Sequence, residues 1–144
     1  MACLADVNLL LACCYQGHAH HVAALHWLDE QEASDVVICH QTQLGLLRLL
    51  TNASLMGKSV CTLSQAWDVY DLMMSDERFD FQAESPGLEG ALRENTQSGR
   101  VSPKLWQDAY LAAFARTAKL RLATFDRGFK QFSALKVELL SGIE

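Results

Sequence analysis

A chain of 144 residues, half of them hydrophobic and a fifth charged, is long enough to bury a substantial core as one domain and too apolar to be disordered. Its net charge of −5 excludes nucleic-acid binding through a broadly basic surface, so any RNA or DNA contact needs a local basic patch or a metal. The opening MACLADVNLLLACCY has no positive n-region and an apolar run too short to span a bilayer, which predicts a cytoplasmic chain.

In chain order, residues 2–5 read as a brief strand ending at Asp6-Val7-Asn8, and residues 9–14 continue as a helix. Residues 20–31 are amphipathic, with Val22, Ala23, Leu25 and Leu28 sharing one side beside Trp27. The run VVIC at 36–39 is wholly apolar, as a strand covered on both faces should be. A third helix over 42–53 carries Arg48 among Leu44, Leu47 and Leu50, and Ser64 can cap a fourth. Residues 79–83 read as a strand and 88–97 as a polar helix stopping near Gly99. Ser102 and Pro103 suit the cap and first position of the next helix. Its stretch 109–115 carries no charge, which predicts burial between layers. Residues 120–125 form a strand ending at Asp126, and 137–140 form a last one. This alternation predicts an α/β fold, a single domain over residues 1–144 with a mainly parallel sheet sandwiched between helices.

Cys3, Cys13, Cys14, Cys39 and Cys61 include no C-x-x-C pair. They read as reduced packing residues, the alternative being a zinc site of Cys13 or Cys14 with His18, His20, His21 or His26.

Asp6 and Asp126 each follow a strand, and parallel strands open both onto one edge, where such folds build sites. Asp108 sits in the apolar helix that leads into the Asp126 strand. Three carboxylates gathered there repel one another unless a divalent cation joins them. Oxygen-rich acidic sites suit Mg²⁺ or Mn²⁺, which points to metal-assisted phosphodiester hydrolysis with Asp6, Asp108 and Asp126 as the catalytic ligands. Asn8 and Thr124 are placed to support the acids. Arg48 is either a substrate-phosphate clamp or an ion-pair partner, with the structural role preferred. Asp6 and Asp126 also read simply as caps of the turns that follow them.

Asp6-x-Asn8, the run GLLRLLTN at 45–52, the helix Asp108-Ala109-x-Leu111-Ala112-Ala113-x-Ala115 and Thr124-Phe125-Asp126-x-x-Phe129 together resemble a PIN-domain ribonuclease. More narrowly, they resemble a VapC-type toxin of a bacterial toxin–antitoxin pair, over nearly the whole chain. The resemblance implies a PIN-like three-layer α/β/α sandwich and a Mg²⁺- or Mn²⁺-dependent endoribonuclease acting on RNA. It also implies a homodimer, a small antitoxin that covers the acidic site, and the family's three aspartates at Asp6, Asp108 and Asp126. One departure concerns a fourth acid, a glutamate three residues before an arginine on the third helix in most members. That position is Gly45 here, with Gln43 the nearest polar residue, and one tightly held ion is expected. A Gly45→Glu change should point toward the strand ends, with Leu44 and Leu47 facing the core, at no cost in helix propensity. The alternative from another class is a PIN-like binding module with weak or no nuclease activity that holds RNA or a protein partner. The apolar excess at Leu55, Met56, Trp67, Leu72 and Met73 predicts a symmetric dimer.

Overall fold

Strands covered on both faces must be apolar at every position, and the first two here are buried throughout. The computed structural model describes residues 2–141. Its strands are β1 (Cys3–Ala5), β2 (Val36–Ile38), β3 (Phe79–Phe81), β4 (Arg121–Thr124) and β5 (Val137–Leu139), in the sheet order β3-β2-β1-β4-β5. Every pairing is parallel, and Leu4 of β1 lies between Val37 and Leu122.

Side chains alternate across the sheet and so divide into two cores. Cys3, Ala5, Val36, Ile38 and Ala123 face α1 (Val7–Cys14), α2 (His21–Asp29), α3 (His40–Leu50), the short α4 (Ala53–Met56) and α5 (Leu63–Met74). Leu4, Val37 and Leu122 face α6 (Leu88–Asn95) and α7 (Leu105–Thr117). This is the three-layer α/β/α arrangement expected from the alternation of elements. Among the described residues no helix is long and apolar enough to cross a membrane.

The helices sit in different phases from those read off the sequence, for identifiable reasons. On α2 the buried stripe is Ala24, Trp27 and Leu28, while Val22 and Leu25 are exposed, because the large indole takes the core. The third helix starts at His40 because Thr42 caps it reciprocally: the Cys39 N–H donates to Thr42 Oγ1 at 3.0 Å, and that hydroxyl is fully buried. Fixing Thr42 inward makes Thr42, Leu46 and Leu50 the core stripe and leaves Leu44 62% exposed, the reverse of the expected orientation. Thr62, not Ser64, caps α5 through a capping box, accepting from the Gln65 N–H at 3.1 Å while Gln65 Oε1 accepts from the Thr62 N–H at 2.9 Å.

Ser102 does not cap α7 with its side chain. Its carbonyl accepts from the Leu105 N–H at 3.2 Å in a preceding turn, and the regular helix begins at Leu105. Asp108 therefore stands in the first turn of α7 rather than in mid-helix. From Ala109 onward the helix is buried on nearly all sides, as its uncharged run predicts. It ends with Lys119 in the left-handed region (φ 60°), the Leu120 N–H returning to the Ala115 carbonyl at 2.8 Å and the Lys119 N–H to that of Arg116 at 3.2 Å. That tight C-terminal motif feeds the chain directly into β4.

Candidate active site

At the carboxyl end of β1 the backbone N–H of Asp6 still donates to the Ala123 carbonyl (3.0 Å), and the chain then turns into α1. Asp6 caps that helix, its Oδ1 accepting from the Val7 N–H at 2.7 Å. Its second oxygen, Oδ2, accepts from the Thr124 hydroxyl at 2.8 Å. Thr124 is fully buried at the end of β4, and its Oγ1 in turn accepts from the Asp126 N–H at 2.9 Å. Asp126 Oδ1 accepts from the Gly128 N–H at 2.8 Å and opens a 3₁₀ turn, Arg127–Gln131, which buried Phe129 pins to the core. Asp6 and Asp126 are thus caps, as the simpler reading held, yet the capping leaves both carboxylates at the same sheet edge.

Asp108 completes the group from α7. One cavity of about 770 Å³ is lined by Asp6, Asp108 and Asp126 together, with Asn8 and Arg48 on its walls. Burial pushes the Asp6 carboxyl above its ordinary value, the hydrogen bonds from Thr124 and Val7 pull it back, and the charge of Asp126 raises it again. Asp108 is raised first by burial, then by the charges of Asp6 and Asp126. Among the described residues no lysine or arginine ion-pairs with any of the three, although Lys104 lies one turn before Asp108.

Mutually repelling carboxylates, Asp6 and Asp108 partly desolvated and none of the three ion-paired to a described residue, are the donor set a hard divalent ion takes. The Gln41 Oε1, at the start of α3 on the same cavity, adds a buried acceptor without a hydrogen-bond partner. These residues fit Mg²⁺ or Mn²⁺ by their chemistry. As the side chains stand, no three His, Cys, Asp or Glu groups among the described residues form a ready-made ion cage.

The remaining residues singled out in the sequence divide. Thr124 bridges two of the acids. Asn8 is on the cavity wall, but its Oδ1 pairs with His18 Nε2 at 2.9 Å rather than with an acid. Burial, with His20 and His21 nearby, holds His18 below its ordinary value. Arg48 is exposed on the cavity wall and makes no ion pair with a described residue, which removes the structural role preferred for it. Gly45 does line the cavity, but a Cβ added there would stand 2.7 Å from Val7 Cγ2 and 3.2 Å from Cγ1. The room assumed for a glutamate is filled by valine.

The sequence does not single out Gln41, and it offers His18 only as a ligand in the zinc alternative. Gln41 lies three residues past the end of β2, in the first turn of α3, and the position that matches Asp6 after β1 is Cys39, so the strand-end pattern does not point to it. His18 lies in a loop whose folding no local pattern discloses. All five cysteines are free, with Cys3 and Cys39 buried, and burial pushes the Cys13 and Cys14 thiols up to about 12. His21 is engaged with the Ala12 carbonyl at 2.6 Å.

The family model for the PIN domain matches residues 3–135. The chain is similar to ribonuclease VapC41 of Mycobacterium tuberculosis, 40% identical over 143 residues, which cover 96% of this chain and 98% of that protein. Its fold is similar to that of M. tuberculosis VapC20, described as a sarcin–ricin loop cleaving toxin, with a TM-score of 0.66 and 16% identity over 97% of this chain and all of the other. It is also similar to a chain in the structure of VapBC2 from Rickettsia felis bound to a promoter DNA fragment, with a TM-score of 0.65 and 18% identity over 98% and 100% of the two chains. A matching family model over most of the sequence and a full-length relative at this identity place the chain in the PIN-domain family, among the VapC ribonucleases.

Proposed function

We propose that this protein is a Mg²⁺- or Mn²⁺-dependent endoribonuclease that hydrolyses RNA phosphodiester bonds and acts as the toxin of a toxin–antitoxin pair. The observation that carries the proposal is the convergence on one cavity of three carboxylates from three elements, with no protein cation to neutralise them. Asp6, Asp108 and Asp126 would hold the metal, and Gln41 stands ready to bind one of its waters. A bound divalent ion supplies an activated water and charge neutralisation at the scissile phosphate. Thr124 fixes the orientation of Asp6 and the backbone of Asp126, and Arg48, on the same cavity, offers a cation to the RNA backbone.

Partner binding follows from the rim. Leu44, Leu63 and Trp67 are exposed beside the acidic cavity. An apolar rim around an anionic centre fits a small antitoxin presenting apolar residues and an arginine or lysine. A toxin–antitoxin complex from Klebsiella pneumoniae contains a chain of similar fold (TM-score 0.62, 16% identity), which supports a partner of that kind. Exposed Leu55 and Leu72 favour a homodimer, whereas Met56, expected to share that surface, is buried within the protomer.

The test is cleavage of labelled RNA by the purified protein in Mn²⁺, in EDTA, and by Asp108→Asn. Cleavage that persists in EDTA or in the variant overturns the metal mechanism. RNA binding without cleavage in Mn²⁺ would favour the binding-module reading, to which the missing fourth acid at Gly45 lends support. Mn²⁺ should also raise the melting temperature of the wild type and not that of Asp6→Asn.

A further inference from the structure

We propose that Asn8 contacts a phosphate oxygen of the substrate through its amide NH₂, that it is not a metal ligand, and that His18 is the positioning residue that aims it. The proposal rests on the ribonuclease reading for the identity of the substrate, and its geometry comes from the loop between α1 and α2. The backbone N–H of His20 donates to His18 Nδ1 at 3.0 Å. A backbone N–H can only donate, so Nδ1 carries no proton and the ring proton lies on Nε2. That Nε2–H can only donate in turn, and 2.9 Å away is Asn8 Oδ1. The alternative amide orientation would set two donors against each other.

The carbonyl oxygen of Asn8 is therefore committed to the loop. Its NH₂ makes no hydrogen bond to a described residue, on a side chain that lines the cavity holding the three aspartates. An amide NH₂ presents donors only, so it offers nothing to a cation and matches an anionic oxygen. The loop is also anchored to the site: the His20 ring stacks on Phe125, with centroids 4.6 Å apart and planes at 27°, one residue before Asp126. Asn8 and Asp126 are thus held in register through His18, His20 and Phe125. Apart from the carboxylates and Arg48, the cavity gains a neutral donor that can read substrate without adding to or cancelling the charge seen by a metal.

The experiment compares wild type, Asn8→Ala, His18→Ala and His18→Gln, each verified as folded by circular dichroism. RNA affinity is read by fluorescence anisotropy of a labelled oligonucleotide, with Ca²⁺ replacing Mn²⁺ so that binding is seen without turnover. Mn²⁺ affinity without RNA is read by calorimetry. Loss of a hydrogen bond to an anionic oxygen should raise the RNA Kd of Asn8→Ala about tenfold, with Mn²⁺ affinity unchanged. His18→Ala should raise it a few-fold, and His18→Gln, whose Nε2 keeps a donor for Oδ1, should return toward wild type. Unchanged RNA affinity in Asn8→Ala, or weakened Mn²⁺ binding, overturns the proposal. So does His18→Gln behaving like His18→Ala. A wild type that binds RNA but does not cleave it in Mn²⁺ defeats the ribonuclease reading and leaves the anisotropy comparison to decide the role of Asn8. A wild type that binds no RNA defeats both.

Discussion

The Thr124 hydroxyl donates to Asp6 Oδ2 at 2.8 Å while accepting from the Asp126 N–H at 2.9 Å. One buried hydroxyl thereby joins the ends of two neighbouring strands and orients both acids. Replacing it by the isosteric valine leaves a half-buried carboxylate oxygen and a backbone N–H without partners. Such losses cost about 1–3 kcal/mol. Thr124→Val should therefore lower stability by that amount in urea melts and reduce RNA cleavage, whereas Thr124→Ser keeps the hydroxyl and most of both. Equal stability of Val and wild type would mean that water replaces the hydroxyl freely.

Asp108 should oppose folding at neutral pH when no metal is bound. Its carboxyl is raised above the ordinary value of 3.8 by burial and by the charges of Asp6 and Asp126. The native state therefore retains this proton to higher pH than the unfolded chain. The stabilisation from the protonated group is complete below about pH 4 and is lost as pH rises through the raised native value. In EDTA at pH 7, Asp108→Asn should be the more stable form, by a margin that solvent screening of this partly exposed group keeps small. Its stability should also decline less between pH 4 and 7. Urea melts across that range decide the matter, and a less stable variant at pH 7 would show that local contacts favour the charge.

Leu72 on α5 is 75% exposed and Leu55 on α4 is 49% exposed. Apolar groups left so open by the protomer are those a self-association would cover. Leu72→Glu should convert a dimer to a species of about 16 kDa in sedimentation, with little change in protomer stability, since the side chain contributes little to the core. Wild-type protein that sediments as a monomer at micromolar concentration refutes the dimer.

Much of this architecture could be read from local pattern, and the failures share a cause. The apolar runs at β1 and β2 announce themselves because parallel strands are covered twice, and Asp6, Asp108 and Asp126 could be placed at one edge by topology alone. Helix phase was less legible. Leu44 and Leu46 are equally apolar, and only the buried hydroxyl of Thr42, fixed by its cap, decides which of them faces the core. The partners of Asn8 and the role of Gly45 depend on how a loop and two helices meet, and no periodicity within one element records that.

Gly45 and Val7 illustrate the last point and give the sharpest test. An ideal Cβ at Gly45 would lie 2.7 Å from Val7 Cγ2 and 3.2 Å from Cγ1. Valine is stiff at χ1 and cannot swing its methyls away cheaply. Gly45→Ala should therefore destabilise by about 1–3 kcal/mol from overpacking, although glycine to alanine in a helix otherwise gains about 1 kcal/mol. In a Val7→Ala background the obstruction is gone and only the propensity gain remains, so the same Gly45→Ala change should stabilise. This reversal of sign is a coupling that a double-mutant cycle measures directly. The same cycle with glutamate tests the site. Gly45→Glu alone should be poorly folded, whereas Val7→Ala/Gly45→Glu should fold and gain more stabilisation from Mn²⁺ than Val7→Ala does. If Gly45→Ala costs the same in both backgrounds, α1 and α3 do not meet as tightly as the structure has them. If the glutamate adds nothing to the Mn²⁺ effect, residue 45 lines the cavity without reaching the metal.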